Sequence, residues 1–295
     1  MTAPYVPQIR LYQDWLRTQR GLVFDDYDAL WHWSVTDLDA FWQSVWDYFE
    51  IASPTPHHAV LATNRMPGAQ WFPGAQVNYL HQVLRHVEPA HAAGMPAIVA
   101  CNERGQRREL GWPELRRQVA ALALHLRAQG VQPGDRVAAY LPNVPEAMVA
   151  FLATVSIGAV WSICAPDMGT HAVLDRFRQI EPTVLIGVDG VTYGGRDMDR
   201  CAVLQELRAQ LAPEGEIILL SASLLEEDSF IGSFVNAIKI FIRGFLHFLG
   251  IRRQQFWGWR RTRDAYRQIF KQAGLTEVKD GWLQDGFETY WIRGR

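Results

Sequence analysis

Two histidine patterns in the chain have spacings that occur in catalytic or metal sites. His32 and Asp37 fit an H-x-x-x-x-D pattern, in which a histidine acts as a base and an acid orients it. The pattern fixes only two positions and lies in a tryptophan-rich segment, so a structural or surface histidine is the preferred interpretation. The pair His57-His58 lacks the helical spacing and acidic company of a metal site, so we expect solvated loop residues there. We therefore assign no catalytic residue and no metal ligand from these patterns.

Loops that bind nucleotide phosphates have recognisable glycine spacings. Neither G-x-x-x-x-G-K-[ST] nor G-x-G-x-x-G occurs anywhere in the chain. The sequence therefore offers no evident cradle for the phosphates of ATP.

The overall composition is that of a globular protein. Hydrophobic residues make up 48% of the 295 residues, and the formal net charge of −2 provides no general field that would attract nucleic acid. The three cysteines, Cys101, Cys164 and Cys201, form no C-x-x-C pair, so we expect buried free thiols in a reducing compartment. Residues 1–11 lack the apolar stretch of a secretory signal, which predicts a cytoplasmic protein.

The elements that would position a site change character near residue 96. Residues 1–95 predict an irregular cap with helices around 37–48 and 78–86, in which the tryptophans from Trp31 to Trp46 serve packing. After two strands, Pro113 begins a helix that Gly130 ends. Its buried face is predicted by an apolar stripe at helical spacing: Leu115, Val119, Leu122 and Leu126.

Three further strands, at 136–141, 159–164 and 183–188, alternate with helices. This alternation predicts an α/β fold with a parallel sheet flanked by helices. Ligands of such sheets bind at the carboxyl ends of the strands, here in the loops after Leu141, Cys164 and Val188.

Several motifs in register over about 200 residues resemble one family. They are FWQSVWDYF (41–49), WFPGA (71–75), PGDRV (133–137), LPN (141–143), SIGA (156–159), CAPD (164–167) and YGGR (193–196). This order is similar to the acetyl-CoA synthetase-like, adenylate-forming enzymes, with acetoacetate-CoA ligase as the closer match. The resemblance covers residues 1–208, as a cap at 1–95 and the truncated start of an AMP-binding domain at 96–208.

The resemblance implies ATP, Mg²⁺ and CoA as cofactors and a small carboxylic acid as substrate. ATP and the acid would give an acyl-adenylate, from which the CoA thiol displaces AMP. Related synthetases have a Gly-Gly-basic patch that contacts CoA, and this implies a CoA-binding role for Gly194, Gly195 and Arg196. Glycines permit close backbone approach, and arginine offers a fork for phosphate oxygens. A plain Gly-Gly turn with a solvated arginine is the equal alternative.

The catalytic parts of that family are not recognisable in the chain. The Ser/Thr/Gly loop that ends in lysine, the ribose-binding aspartate and the C-terminal lysine are all missing. We therefore expect an acetoacetate-CoA ligase-like protein with little or no ligase turnover.

After Leu211 the sequence resembles a second family. A Pro-x-Gly turn precedes a strand at 216–221, and a helix at 262–274 precedes strands at 276–282 and 287–291. Residues 209–295 in this order resemble the end of a class I S-adenosylmethionine-dependent methyltransferase, a partial Rossmann-like segment. The resemblance implies S-adenosylmethionine as the cofactor of this alternative function. A fused or rearranged reading frame would explain two partial families in one chain.

A third hypothesis is non-catalytic. The apolar run 230–251, interrupted by Lys239 and Arg243, has the pattern of a helix in a membrane interface, although a lid or core helix is preferred. The alternatives are thus a CoA-binding protein or one with peripheral membrane contact. Two incomplete sheets would also leave apolar edges, which predicts self-association.

Overall fold

The computed structural model describes residues 6–208, 216–221, 267–268, 271, 279–282 and 290–294. Backbone contacts divide the chain into two compact units, Met1–Val83 and Leu84–Arg295. The run 230–251 lies outside the described residues, as does all but three residues of the helix predicted at 262–274.

Helices build most of the first unit. They are α1 (Gln8–Trp15), which continues as a π-helical turn (Leu16–Arg20), α2 (Tyr27–Thr36), α3 (Leu38–Tyr48) and α4 (Tyr79–Leu84). Two short strands, β1 (Leu61–Thr63) and β2 (Gln70–Trp71), pair antiparallel. The helices predicted around 37–48 and 78–86 are confirmed.

Aromatic packing holds the first three helices together. Tyr12, Leu16 and Leu30 are buried, and Trp15 and Trp33 pack against them. The buried Tyr12 and Ser44 hydroxyls share a hydrogen bond of 2.6 Å. Packing is thus the role of both tryptophans, and for Trp33 the sequence had indicated it.

The second unit begins with a helix and a strand pair. Helix α5 (Val87–Ala92) is followed by β3 (Ile98–Cys101) and β4 (Arg107–Leu110), which form an antiparallel hairpin. Helix α6 (Trp112–Ala128) comes next, with proline in its first turn. The predicted stripe of α6 is confirmed, because all four of its residues are buried: Leu115, Val119, Leu122 and Leu126.

Strands and helices then alternate up to residue 187, after which two further strands precede the last helix of this stretch. The order is β5 (Arg136–Tyr140), α7 (Pro145–Ser156), β6 (Val160–Cys164), α8 (Thr170–Ile180), β7 (Val184–Gly187), β8 (Gly190–Tyr193), β9 (Arg196–Asp199) and α9 (Cys201–Leu207). Strands β8 and β9 form a separate antiparallel hairpin.

One six-stranded sheet forms the centre of the second unit. Its order is β11 (Lys279–Trp282), β12 (Tyr290–Gly294), β10 (Glu216–Ser221), β7, β5 and β6. Strands β6, β5, β7 and β10 run parallel, which confirms the predicted α/β fold with a partial parallel sheet. Strand β12 lies between β10 and β11 and is antiparallel to both.

This topology differs from the two separate half-sheets expected from the sequence. Residues 216–219 of β10 pair with residues 184–187 of β7, so the strands on either side of Leu211 belong to one sheet. The backbone of β7 would otherwise be an unpaired edge, and β10 satisfies its hydrogen-bonding groups.

The sheet is covered on one face by α8 and α9. Because side chains alternate along a strand, Ala138 and Tyr140 share a face, and they pack there with Phe177, Leu204 and other buried residues. Gly187 permits this packing, since a Cβ atom on it would lie 2.4 Å from a methyl carbon of Leu204. Helix α9 can therefore lie close against the end of β7.

Candidate ligand-binding site

The central parallel strands end at the same edge of the sheet. Tyr140, at the end of β5, is in register with Cys164 of β6 and with Gly187 of β7. The loops after these strands consequently start side by side, as the sequence predicted. This edge is where parallel sheets bind ligands.

The loop after β6 is held by two donors on one carbonyl. The Tyr140 hydroxyl donates to the Pro166 carbonyl oxygen at 3.0 Å, and the Arg200 Nε donates to it at 2.9 Å. Burial raises the pKa of the Tyr140 phenol, and the Arg200 cation partly opposes this. The phenol therefore stays protonated near neutral pH and remains a hydrogen-bond donor to the Pro166 carbonyl.

The three cysteines differ in exposure. Cys164 is buried, Cys201 is half-buried and Cys101 is exposed, so the expectation of buried thiols holds for Cys164 and is wrong for Cys101. Cys101 lies on β3 of a two-stranded hairpin, where alternate side chains face solvent. Burial raises the pKa of the Cys164 thiol, which makes it a poor nucleophile.

The Gly-Gly-Arg segment is the tip of the β8–β9 hairpin. Tyr193 pairs with Arg196, and the two-residue loop between them consists of Gly194 (φ 58°) and Gly195 (φ 73°). Positive φ at both central residues defines a type I′ turn, which favours glycine. A Cβ atom would meet nothing within 4 Å at either position, so the backbone conformation alone requires glycine there.

Both amides of this turn donate to one carboxylate. Gly194 N–H donates to Glu103 Oε1 at 3.1 Å, and Gly195 N–H donates to Glu103 Oε2 at 2.9 Å. Consecutive backbone N–H groups that converge on one centre form an anion-binding concavity. The turn therefore has the geometry to bind a phosphate, with a carboxylate at that position.

Arg196 stands beside these amides and is exposed. The structure thus brings the three residues implied by the resemblance to one hairpin tip, with two amide donors and one guanidinium. Whether CoA occupies this tip stays a prediction.

Glu103 is a residue that the sequence analysis missed. It lies in the β3–β4 turn, 91 residues from Gly194, and only the fold brings the two hairpins together. A second link joins them, because Arg104 donates to Asp197 at 2.8 Å. The sequence carries one local indication, since Asn102 and Gly105 favour a turn at this point. That pattern does not indicate which segment the turn contacts.

The histidine patterns have other roles. Asp37 accepts a hydrogen bond from Ala40 N at 3.2 Å and so caps α3, while His32 is exposed. His57 is half-buried, shares a hydrogen bond with Gln43 and packs against Trp46, so it is not the solvated residue expected from the sequence. Among the described residues, no group of three His, Cys, Asp or Glu could hold a metal ion, and no helix could cross a membrane.

Two family models match the chain. "AMP-binding enzyme" matches residues 88–237, and "Acetyl-coenzyme A synthetase N-terminus" matches residues 27–83. The first match alone covers half of the chain. The chain belongs to the AMP-binding enzyme family. That match includes residues on both sides of Leu211, so the family extends into β10.

Two relatives within the family are acetoacetyl-CoA synthetases. The acetoacetyl-coenzyme A synthetase of Rhizobium meliloti (strain 1021) is 41% identical over 186 residues, which are 63% of this chain and 28% of that protein. The acetoacetyl-CoA synthetase of Rattus norvegicus is 36% identical over 223 residues, 75% of this chain and 33% of that protein.

A solved structure supports the same assignment. The acetoacetyl-CoA synthetase from Streptomyces lividans is 48% identical, with a TM-score of 0.65 over 70% of this chain and 32% of that chain. The chain spans about a third of the length of these relatives. It therefore contains an N-terminal part like that of an acetoacetate-CoA ligase.

Proposed function

We propose that this chain supplies the CoA-contacting N-terminal portion of an acetoacetate-CoA ligase. The observation that carries the proposal is the hairpin tip, where the Gly194 and Gly195 amides converge on one anion and Arg196 is exposed beside them. CoA is a polyanion, and its phosphates are the kind of group that amide pairs and guanidinium forks bind.

The family uses ATP and Mg²⁺ to activate an acid and CoA to receive it. Activation turns a carboxylate oxygen into part of an AMP leaving group, and the CoA thiol then displaces AMP. In this chain the residues that fit one of these ligands are those of the hairpin tip, which would orient CoA through its phosphates. Among the described residues, no group of three His, Cys, Asp or Glu could hold Mg²⁺, and the sequence contains neither of the two glycine-spaced phosphate-loop patterns.

Binding of CoA to the full chain tests the proposal. We expect saturable binding in isothermal titration calorimetry, weakened about tenfold in an Arg196→Ala variant because one charge-assisted contact is lost. Arg127→Ala is the matched control, since Arg127 is an exposed arginine on the last turn of α6. Equal weakening by both substitutions, or no binding by the wild type, would reject the hairpin as the CoA site.

Catalysis is a separate matter from binding. Because the phosphate loop and the C-terminal lysine of the family are not found in the 295 residues, we expect no acetoacetate-dependent release of pyrophosphate from ATP by this chain. Turnover by the purified chain would show that other residues supply those roles.

The terminal strands suggest a second candidate function. The paired β11 and β12 agree with the strand pair on which the methyltransferase resemblance rests. Saturable binding of S-adenosylmethionine to the full chain would support that function, and an absence of binding at millimolar concentration would dismiss it. The CoA proposal does not depend on this result.

A further inference from the structure

A side chain of the protein already occupies the anion position of the β8–β9 hairpin. The two Glu103 oxygens accept from Gly194 N–H and Gly195 N–H, one oxygen to each donor. Two oxygens on one centre are also what a phosphate group presents. The carboxylate and a ligand phosphate therefore require the same two donors.

The two anions cannot share the site. A carboxylate and a phosphate that compete for the same amides would lie within a few ångströms of each other, where like charges repel. No other donor to Glu103 compensates within the contacts described, whereas a phosphate would also reach the exposed Arg196. A ligand can thus replace Glu103, and Glu103 must leave when it does.

The hairpins remain joined when Glu103 leaves. Arg104 Nη2 donates to Asp197 Oδ1 at 2.8 Å, and Thr192 Oγ1 donates to the same oxygen at 2.6 Å. The turn that carries Glu103 is also held internally, because Asn102 Oδ1 accepts from Gln106 N at 2.9 Å. Movement of the exposed Glu103 side chain alone is sufficient to open the amides.

We propose that Glu103 is an internal competitor that closes the Gly194–Gly195 amide pair until a phosphate-bearing ligand displaces it. The inference rests on the proposed CoA site and adds a residue that sets the affinity of that site. Apparent affinity is lowered by the fraction of molecules in which the carboxylate occupies the amides. Removal of the carboxylate therefore strengthens binding.

The direct test is a CoA titration of two glutamate variants of the full chain. Glu103→Gln removes the charge and one acceptor oxygen and is expected to raise CoA affinity about fivefold. Glu109→Gln removes the same charge from the same β3–β4 hairpin, where Glu109 pairs with Arg107, and is expected to change affinity by less than about twofold. An equal gain in CoA affinity in both variants would mean that the loss of one negative charge, and not the release of the two amides, causes the effect. That result would overturn the proposal.

Failure of the competitor and failure of the CoA site give different results. If Arg196→Ala weakens CoA binding but Glu103→Gln leaves it unchanged or weakens it, CoA binds at the hairpin and Glu103 is not a competitor. If Arg196→Ala has no effect on CoA binding, the CoA site is wrong, and inorganic pyrophosphate then serves as the probe of the amide pair.

An amide resonance provides the independent readout for that case. Tyr193 is the only one of nine tyrosines that precedes a glycine, so carbonyl-¹³C-tyrosine with ¹⁵N-glycine labelling isolates the Gly194 amide. We expect Glu103→Gln to shift this resonance without ligand, and pyrophosphate to shift it at lower concentration in the variant than in the wild type. A Gly194 resonance that is shifted neither by the substitution nor by pyrophosphate would overturn the inference, regardless of the result with CoA.

Discussion

The molecule fixes two turns with side chains from elsewhere in the fold, and it does so in opposite surroundings. At the sheet edge, the buried Tyr140 and the half-buried Arg200 donate to the Pro166 carbonyl. At the β8–β9 tip, the exposed Glu103 accepts from two glycine amides. A buried partner cannot be replaced by solvent or ligand without a cost in stability, whereas an exposed one can be exchanged. The first turn is therefore structural, and the second is suited to binding.

The largest expected effect lies in the core beneath the first turn. Phe177 is fully buried in the cluster that contains Tyr140 and Cys164. Phe177→Ala should lower the free energy of unfolding by about 3–5 kcal/mol, because it removes buried apolar surface and leaves a cavity. Urea denaturation followed by far-UV circular dichroism measures this. A loss below about 1 kcal/mol would contradict the packing described for this face.

A smaller loss of stability is expected when the Tyr140 hydroxyl is removed. Tyr140→Phe should cost about 1 kcal/mol in urea denaturation, since Arg200 still satisfies the Pro166 carbonyl after the substitution. The matched variant at the exposed turn, Glu103→Ala, should cost less than Tyr140→Phe. A reversed order would mean that the hairpin tip, and not the sheet edge, is the structural turn.

The pH dependence of stability separates the two turns further. Burial raises the pKa of Tyr140 above 10.0, so the folded state keeps a proton that the unfolded state loses. The stabilisation that results from retaining this proton is fully present below pH 10 and is lost as the pH rises through the folded-state pKa. The wild type should therefore lose more stability between pH 9 and about pH 11 than Tyr140→Phe does. Equal losses of stability in the wild type and in Tyr140→Phe would show that the phenol is not held in its neutral form.

Helices, strands and turns could be predicted where the sequence pattern that specifies them is local. The α6 stripe and the strand–helix alternation from β5 to β7 follow from apolar spacing, and they are present as expected. The convergence of the loops after Leu141 and Cys164 follows from parallel pairing. The Gly-Gly turn is also local, because adjacent glycines permit the positive φ angles of a two-residue hairpin.

The remaining features depend on contacts between distant segments. The pairing of β10 with β7 joins the strands across Leu211, where the motifs had led us to expect the family resemblance to end. No local pattern specifies this pairing, because any apolar strand of suitable length can continue a parallel sheet. The contact of Glu103 with Gly194 has the same origin, since an exposed glutamate in a turn gives no signal of its partner.

CoA binding by the full chain tests the central claim most directly. Titration of CoA into the wild type, Arg196→Ala and Arg127→Ala compares the hairpin tip with an exposed arginine elsewhere. The account predicts saturable binding that Arg196→Ala weakens about tenfold and that Arg127→Ala leaves unchanged. Binding of equal strength in all three proteins would contradict it.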